Sequence, residues 1–142
     1  MAKSCQVDFY VLASSGQSAE RLACQLAMMA WEQGHRVAVL TEDQAAARAL
    51  DEIMWDYPAG RFLPHTANAT DSETPVSING SVSDIATGRD VLINLSDSPV
   101  DSPERFKRLL EIVPAAEQKR LASRNKFRAY RDLGLDPASH KM

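Results

Sequence analysis

Residues 7–40 read VDFYVLASSGQSAERLACQLAMMAWEQGHRVAVL, and the organisation of the chain follows from them. Val7 to Leu12 is rich in β-branched and aromatic residues and breaks at Ser14-Ser15-Gly16, as a strand entering a turn does. Ser18 suits the N-cap of a helix running to about Gln33. Leu22, Leu26, Met29 and Ala30 recur at the spacing of one helical face, and Gly34 is a natural stop. Arg36 to Leu40 then reads as a short buried strand. A strand, a crossover helix and a second strand at these lengths imply parallel strands joined right-handedly.

The alternation continues downstream. Thr41 and Gln44 form a T-x-x-Q capping box opening a helix to about Trp55, with Ala46, Leu50, Ile53 and Met54 inward. Pro58 and Gly60 end it. Arg61 to His65 reads as a short extended piece, Thr66 to Thr74 as a polar loop, and Val76 to Ile78 as a short strand. Asp90 to Leu95 is a buried strand. Ser102 with Pro103 predicts a helix start, and Phe106, Leu109 and Leu110 supply its inner face. Ile112 and Val113 read as a last strand, followed by a helix from about Ala115 to Leu133 that Gly134 closes. The expected fold is an open, mostly parallel α/β sheet with helices on both faces, Rossmann-like, in one domain spanning 1–135. Residues 136–142 read as a flexible tail.

The totals bound the function. The chain has 142 residues, 44% of them hydrophobic and 25% charged, which suits one soluble globular domain. No apolar run approaches the ~20 residues of a membrane span, and the N-terminus lacks the pattern of a signal peptide. Cys5 and Cys24 form neither a CxxC pair nor a metal spacing with His35, His65 or His140. Both lie in apolar-periodic stretches and read as buried free thiols, which fits a cytoplasmic location.

A Rossmann-like layout invites a nucleotide, but the turn after the first strand carries only Gly16. Neither G-x-G-x-x-G nor G-x-x-x-x-G-K-[ST] occurs, so no cofactor is expected. G-x-S-x-G is also absent, and the three histidines read as structural or solvated. Glu42 and Asp43 stand where open α/β sheets bind ligands, yet acids there equally favour the start of the following helix.

Two surfaces remain. Lys119, Arg120, Arg124, Lys126, Arg128 and Arg131 form a run without an acid. It carries +6 in a chain whose net charge is −3, so everything else sums to −9. Positions 120, 124, 127 and 131 share one helical stripe, reading Arg, Arg, Phe, Arg. A solvated helix face would usually explain such a run. Against that, the run offers no acid for i, i+4 pairing, and arginine suits bidentate carboxylate binding. Nucleic acid is the rival ligand, but the rest of the chain is acidic and no RRM, KH or zinc-finger pattern occurs. The second surface is Trp55 with Phe62, Leu63 and Pro64, readable as core or as an aromatic interface anchor.

These stretches, in this order, resemble the chi subunit family of bacterial DNA polymerase III holoenzyme. The likeness rests on Phe9-Tyr10-Val11-Leu12, Trp31 with Gly34-His35-Arg36-Val37, and Thr41-Glu42-Asp43-Gln44. It continues through Leu50-Asp51-Glu52 with Trp55, Phe62-Leu63-Pro64-His65, Arg89-Asp90-Val91-Leu92-Ile93, Val113-Pro114, and Arg124 to Gly134. Only 66–87 and the tail are weakly anchored. The resemblance implies an α/β domain without a nucleotide site, with no catalysis of its own. It implies two partners: the psi subunit of the clamp loader, and the acidic C-terminal tail of single-stranded-DNA-binding protein. DNA is then engaged only indirectly.

By position, the resemblance implies a tail site at Val113, Arg120, Arg124, Phe127 and Arg128, with Arg124 on the terminal carboxylate and Val113 and Phe127 walling a Phe ring. It implies a psi-facing patch at Trp55, Phe62 and Pro64, which would also serve a helicase partner. The family commonly has Tyr where Phe127 stands and Lys where Arg120 stands. Other readings stay open at this point: a direct single-stranded nucleic-acid binder using the same helix, or a nucleotide-dependent enzyme on the same fold.

Overall fold

A computed structural model describes residues 5–56, 62–68 and 73–142. In chain order the elements are β1 (Gln6–Val11), α1 (Ala19–Glu32), β2 (Val37–Leu40), α2 (Gln44–Asp56), β3 (His65–Ala67), β4 (Val76–Asn79), β5 (Val91–Asn94), β6 (Arg108–Val113), α3 (Glu117–Asp132) and β7 (Ala138–Lys141). The strands form one sheet in the order β3-β4-β2-β5-β6-β1-β7, every pair parallel. It is the open α/β arrangement expected from residues 7–40.

Alternation along the strands assigns two cores. Val37 and Val39, Val76 and Ile78, Val91 and Ile93, Leu110 and Ile112 point to the face covered by α1 and α2. Val7 and Phe9, Ala38 and Leu40, Leu92, Leu109 and Val113 point to the other, with Phe106, Tyr130 and Leu135. Central strands buried on both sides therefore read as unbroken apolar runs. Ser18 caps α1, its hydroxyl accepting from the Arg21 amide. Gly134 closes α3 at φ +88°, a conformation an L side chain resists.

Four expectations change. Thr41 does not cap α2: its hydroxyl donates to the carbonyls of Asp43 and Asn79, and the Asp43 carboxylate accepts the Ala46 amide at 2.8 Å. Of the residues expected inward on α2, Leu50 and Met54 are buried and Ile53 partly so, with Ala47 buried in place of Ala46. The helix expected from Pro103 is a single 3-10 turn, Pro103–Arg105, followed by β6. Phe106, Leu109 and Leu110 looked helical because a strand buried on both faces has no polar alternation to betray it. Finally, 136–142 holds β7, which pairs with β1 from Asp8↔Ala138 to Val11↔Lys141. All four β7 side chains are exposed, so backbone pairing and a few side-chain ties hold it, and no hydrophobic pattern marks it. The helix stop read at Pro58 and Gly60, the start of the extended piece at Arg61, and loop residues 69–72 lie outside the described residues.

Candidate protein-docking surfaces

α3 covers the β6–β1 side of the sheet with an unusually polar inner face; only Lys126 and Tyr130 are fully buried on it. Lys126 Nζ lies 2.9 Å from Glu111 Oε1 on β6 and also donates to the Ser96 carbonyl. The Tyr130 hydroxyl donates to Glu111 Oε2, as does Asn94 Nδ2 at 2.9 Å, and the Val100 amide donates to the Tyr130 oxygen at 3.0 Å. Burial pushes the Glu111 carboxyl above its ordinary range, against the pull of Lys126, Tyr130 and Asn94. The same burial, with the Glu111 charge beside it, raises the Tyr130 phenol far above its usual value.

The basic run is thus divided. Lys126 is neutralised from β6, and Lys119 pairs with Asp97 at 2.8 Å. Their acids are absent from the run itself but arrive from other elements. Arg120 turns toward β1 and donates through Nη2 to the Leu12 carbonyl at 3.2 Å. Arg124, Arg128 and Arg131 carry no ion pair among the described residues. Together with Phe127 and Asp132 they line an open groove of about 560 Å³. Phe127 is half-buried, its ring leaning on Phe9 at 5.3 Å between centroids. Arg124, Phe127 and Arg128 are therefore brought together, whereas Arg120 and the core residue Val113 do not line the groove. Arg131 does line it; its position on the 120-124-127-131 stripe was the available signal. Asp132 had none.

The aromatic pair is at the surface. Trp55 is 56% exposed and Phe62 64%, with ring centroids 6.1 Å apart and Pro64 half-buried beside them. The patch adjoins the edge strand β3. Trp55 packs on the His65 ring at 4.6 Å, and buried His65 is held by the Leu63 carbonyl at Nδ1 and by Asp51 Oδ1, 3.1 Å from Nε2. An apolar pair this exposed is suited to a protein partner.

The places where such sheets bind nucleotides have a different chemistry. In the first strand-to-helix turn the Gln17 carboxamide oxygen accepts the Ala13 and Ser14 amides at 2.6 and 3.0 Å, taking donors a phosphate would use. The hollow of about 250 Å³ at the carboxyl ends of β2, β4 and β5 is lined by Glu42 and Asp101 and, among the described residues, by no basic side chain. That field disfavours a phosphate.

The fold is thus a parallel α/β sheet with an arginine-lined groove on one helix and an exposed aromatic pair beside an edge strand. Residues 5–138 match the family described as DNA polymerase III chi subunit, HolC. DNA polymerase III subunit chi of Pseudomonas aeruginosa is 36% identical over 138 residues, covering 96% of this chain and 96% of that protein. The Escherichia coli K12 and Haemophilus influenzae proteins of the same name are 33% identical over 119 residues and 31% over 134, covering 82% and 92% of this chain and 81% and 92% of their own. The chain belongs to the chi subunit family and stands among the accessory subunits of the replicative polymerase.

Solved structures resembling it in fold include a chain of the complex of the Saccharomyces cerevisiae Dbp5 C-terminal domain with Gle1 and IP6, at TM-score 0.61 and 6% identity over 96% of this chain and 90% of that one. A chain of the Dbp5 complex with Nup159, Gle1, IP6 and ADP gives TM-score 0.68 at 8% identity. This chain spans 43% of the length of that one. At such identities the likeness concerns the fold alone.

Among the described residues no helix is long and apolar enough to cross a membrane, and no group of His, Cys, Asp or Glu could hold a metal ion.

Proposed function

We propose that this chain is a non-catalytic cytoplasmic adaptor of bacterial DNA replication, joining the clamp loader to single-stranded template coated with its binding protein. The groove on α3 takes the acidic C-terminal tail of single-stranded-DNA-binding protein, and the Trp55–Phe62–Pro64 patch holds the psi subunit. A helicase partner would use the same aromatic patch.

The observation carrying this reading is the cluster of Arg124, Arg128 and Arg131 around the half-buried ring of Phe127. Guanidinium groups that make no ion pair among the described residues can bind carboxylates, and the ring offers an apolar wall to a terminal phenyl group. Arg124 takes the free chain end, and Arg128 and Arg131 meet upstream aspartates. Arg120 serves only if its bond to the Leu12 carbonyl is exchanged for the ligand. Two separate surfaces make the chain a bridge, which raises the local concentration of polymerase on coated template. A charged contact weakens with salt and so can release and rebind.

The test is fluorescence anisotropy of a labelled acidic peptide ending in Asp-Ile-Pro-Phe, with an amidated peptide as control. Arg124→Ala should cost about 1.5–3 kcal/mol of affinity, the scale of hydrogen bonds to a charged group, with the fold intact. Amidation should cost a similar amount. Equal binding by wild type and variant would sink the site assignment. Displacement of the peptide by bare single-stranded DNA at physiological salt would favour direct nucleic-acid binding instead.

A further inference from the structure

We propose that Lys126, through its buried ion pair with Glu111, is a positioning residue that sets the roll of α3 and so places Arg124 and Phe127 for the acidic peptide. This rests on the reading of the α3 groove given above.

Most amphipathic helices are seated by an apolar stripe, which is attractive but not directional. α3 has only a thin stripe of this kind, the rings of Phe127 and Tyr130 on Phe9, and one of its two fully buried side chains is Lys126. Both end on the same carboxylate: Lys126 Nζ on Glu111 Oε1 and the Tyr130 hydroxyl on Oε2. The Lys126 and Glu111 side chains are 6% and 0% exposed, so water cannot substitute for either. Further bonds run to the loop after β5, from Lys126 to the Ser96 carbonyl and from the Val100 amide to the Tyr130 oxygen. Two points of contact one helical turn apart, each with strict hydrogen-bond geometry, fix both the roll and the axial position of the helix.

The groove residues depend on that roll. At about 100° per residue, Phe127, Arg131, Arg124 and Arg128 follow Lys126 around the helix at roughly 100°, 140°, 160° and 200°. At an outer helix radius of about 5–6 Å, a 10° roll displaces a side-chain end by about 1 Å. Recognition by hydrogen bonds tolerates about 0.5 Å. An apolar seat could hold α3 as strongly and still leave its roll loose. Buried ion pairs are poor stabilisers compared with apolar packing, and their attested use is to specify register.

The experiment separates position from stability. In Glu111→Leu/Lys126→Met the pair is exchanged for apolar groups of similar volume. Stability is read by urea denaturation and affinity by anisotropy of the acidic peptide. The double variant should fold cooperatively, though less stably because the Tyr130 hydroxyl and the Asn94 amide lose their acceptor, and should bind at least about fivefold more weakly, the scale of mutations that act on a site from outside it. Wild-type affinity in a folded double variant overturns the proposal.

Should the double variant not fold, Tyr130→Phe decides. It removes one hydroxyl and keeps the ring. Weaker peptide binding with a folded protein supports the positioning role, and unchanged binding overturns it. Arg124→Ala in parallel identifies the source of a failure. If it too leaves binding unchanged, the peptide does not use this groove and the underlying functional reading falls; if it alone weakens binding, only the positioning role falls.

Discussion

The Asp8 carboxylate lies 2.8 Å from His140 Nε2, so a side chain of the first strand grips the last strand of the sheet. Its other oxygen takes Arg108 Nη2 of β6 at 2.9 Å, and His140 stacks on Tyr10 with centroids 5.2 Å apart. One buried carboxylate thereby ties β7, β1 and β6 together.

Burial alone would raise the Asp8 pKa, but the bonds and charges of His140 and Arg108 outweigh it and hold the carboxyl below its ordinary value. A carboxyl with a depressed folded-state pKa stabilises the fold above its unfolded value, about pH 3.9, and loses that contribution as pH falls through the folded value. Urea denaturation from about pH 7 down to about pH 2.5 should show wild type losing stability on this acid limb. Asp8→Asn should flatten that part of the curve and cost about 1–3 kcal/mol at neutral pH. Amides of β7 should also exchange faster in the variant. Parallel acid limbs would refute the role given to Asp8.

Lys126→Met on its own leaves the Glu111 carboxylate buried without its counter-charge. Breaking a buried pair from one side costs about 3–5 kcal/mol. Equilibrium unfolding should show that loss, along with a steeper decline in stability as pH rises, because the stranded carboxyl is then more costly to ionise. A change under about 1 kcal/mol would mean that water reaches the site.

Phe62→Ala removes a ring that is 64% exposed, so its stability should stay within about 0.5 kcal/mol of wild type. Psi binding, measured by calorimetry with purified partner, should weaken markedly while the acidic peptide binds as before. A joint loss of both would contradict the two-surface picture.

Cys5 and Cys24 are both buried and unpaired with each other. Burial, with Glu104 nearby, pushes the Cys5 thiol up to about 11; burial, with Glu20 nearby, pushes Cys24 up to about 12. Neither supplies appreciable thiolate near neutrality, so a disulfide reagent at pH ~8 should label the native protein slowly. Both thiols should react in urea. Fast native labelling would show that one of the two sites opens readily.

Where the sequence could be read directly, the signal was local. Residues 7–40 revealed β1, α1 and β2 because a capping serine, a helical stripe and a stopping glycine all lie within a few residues of what they specify. The Trp55–Phe62 patch was legible as residues but not as a surface, since the same aromatics would suit a core. Their exposure depends on where β3 falls in the strand order. β6 was misread in part because burial on both faces erases the period that separates strand from helix. β7 was missed because its hold on the fold runs through Asp8, 132 residues away.

Sequence alone determined the α/β class, the basic run and the missing glycine loop, each written in neighbouring residues. Tertiary structure decided which of those bases remain free. Lys119 and Lys126 are neutralised by Asp97 and Glu111, 22 and 15 residues distant in the chain, and Arg124, Arg128 and Arg131 around Phe127 carry no ion pair among the described residues. Charge pairing acts over a few ångströms of space, and no pattern along the backbone records which carboxylate the fold will bring within that distance.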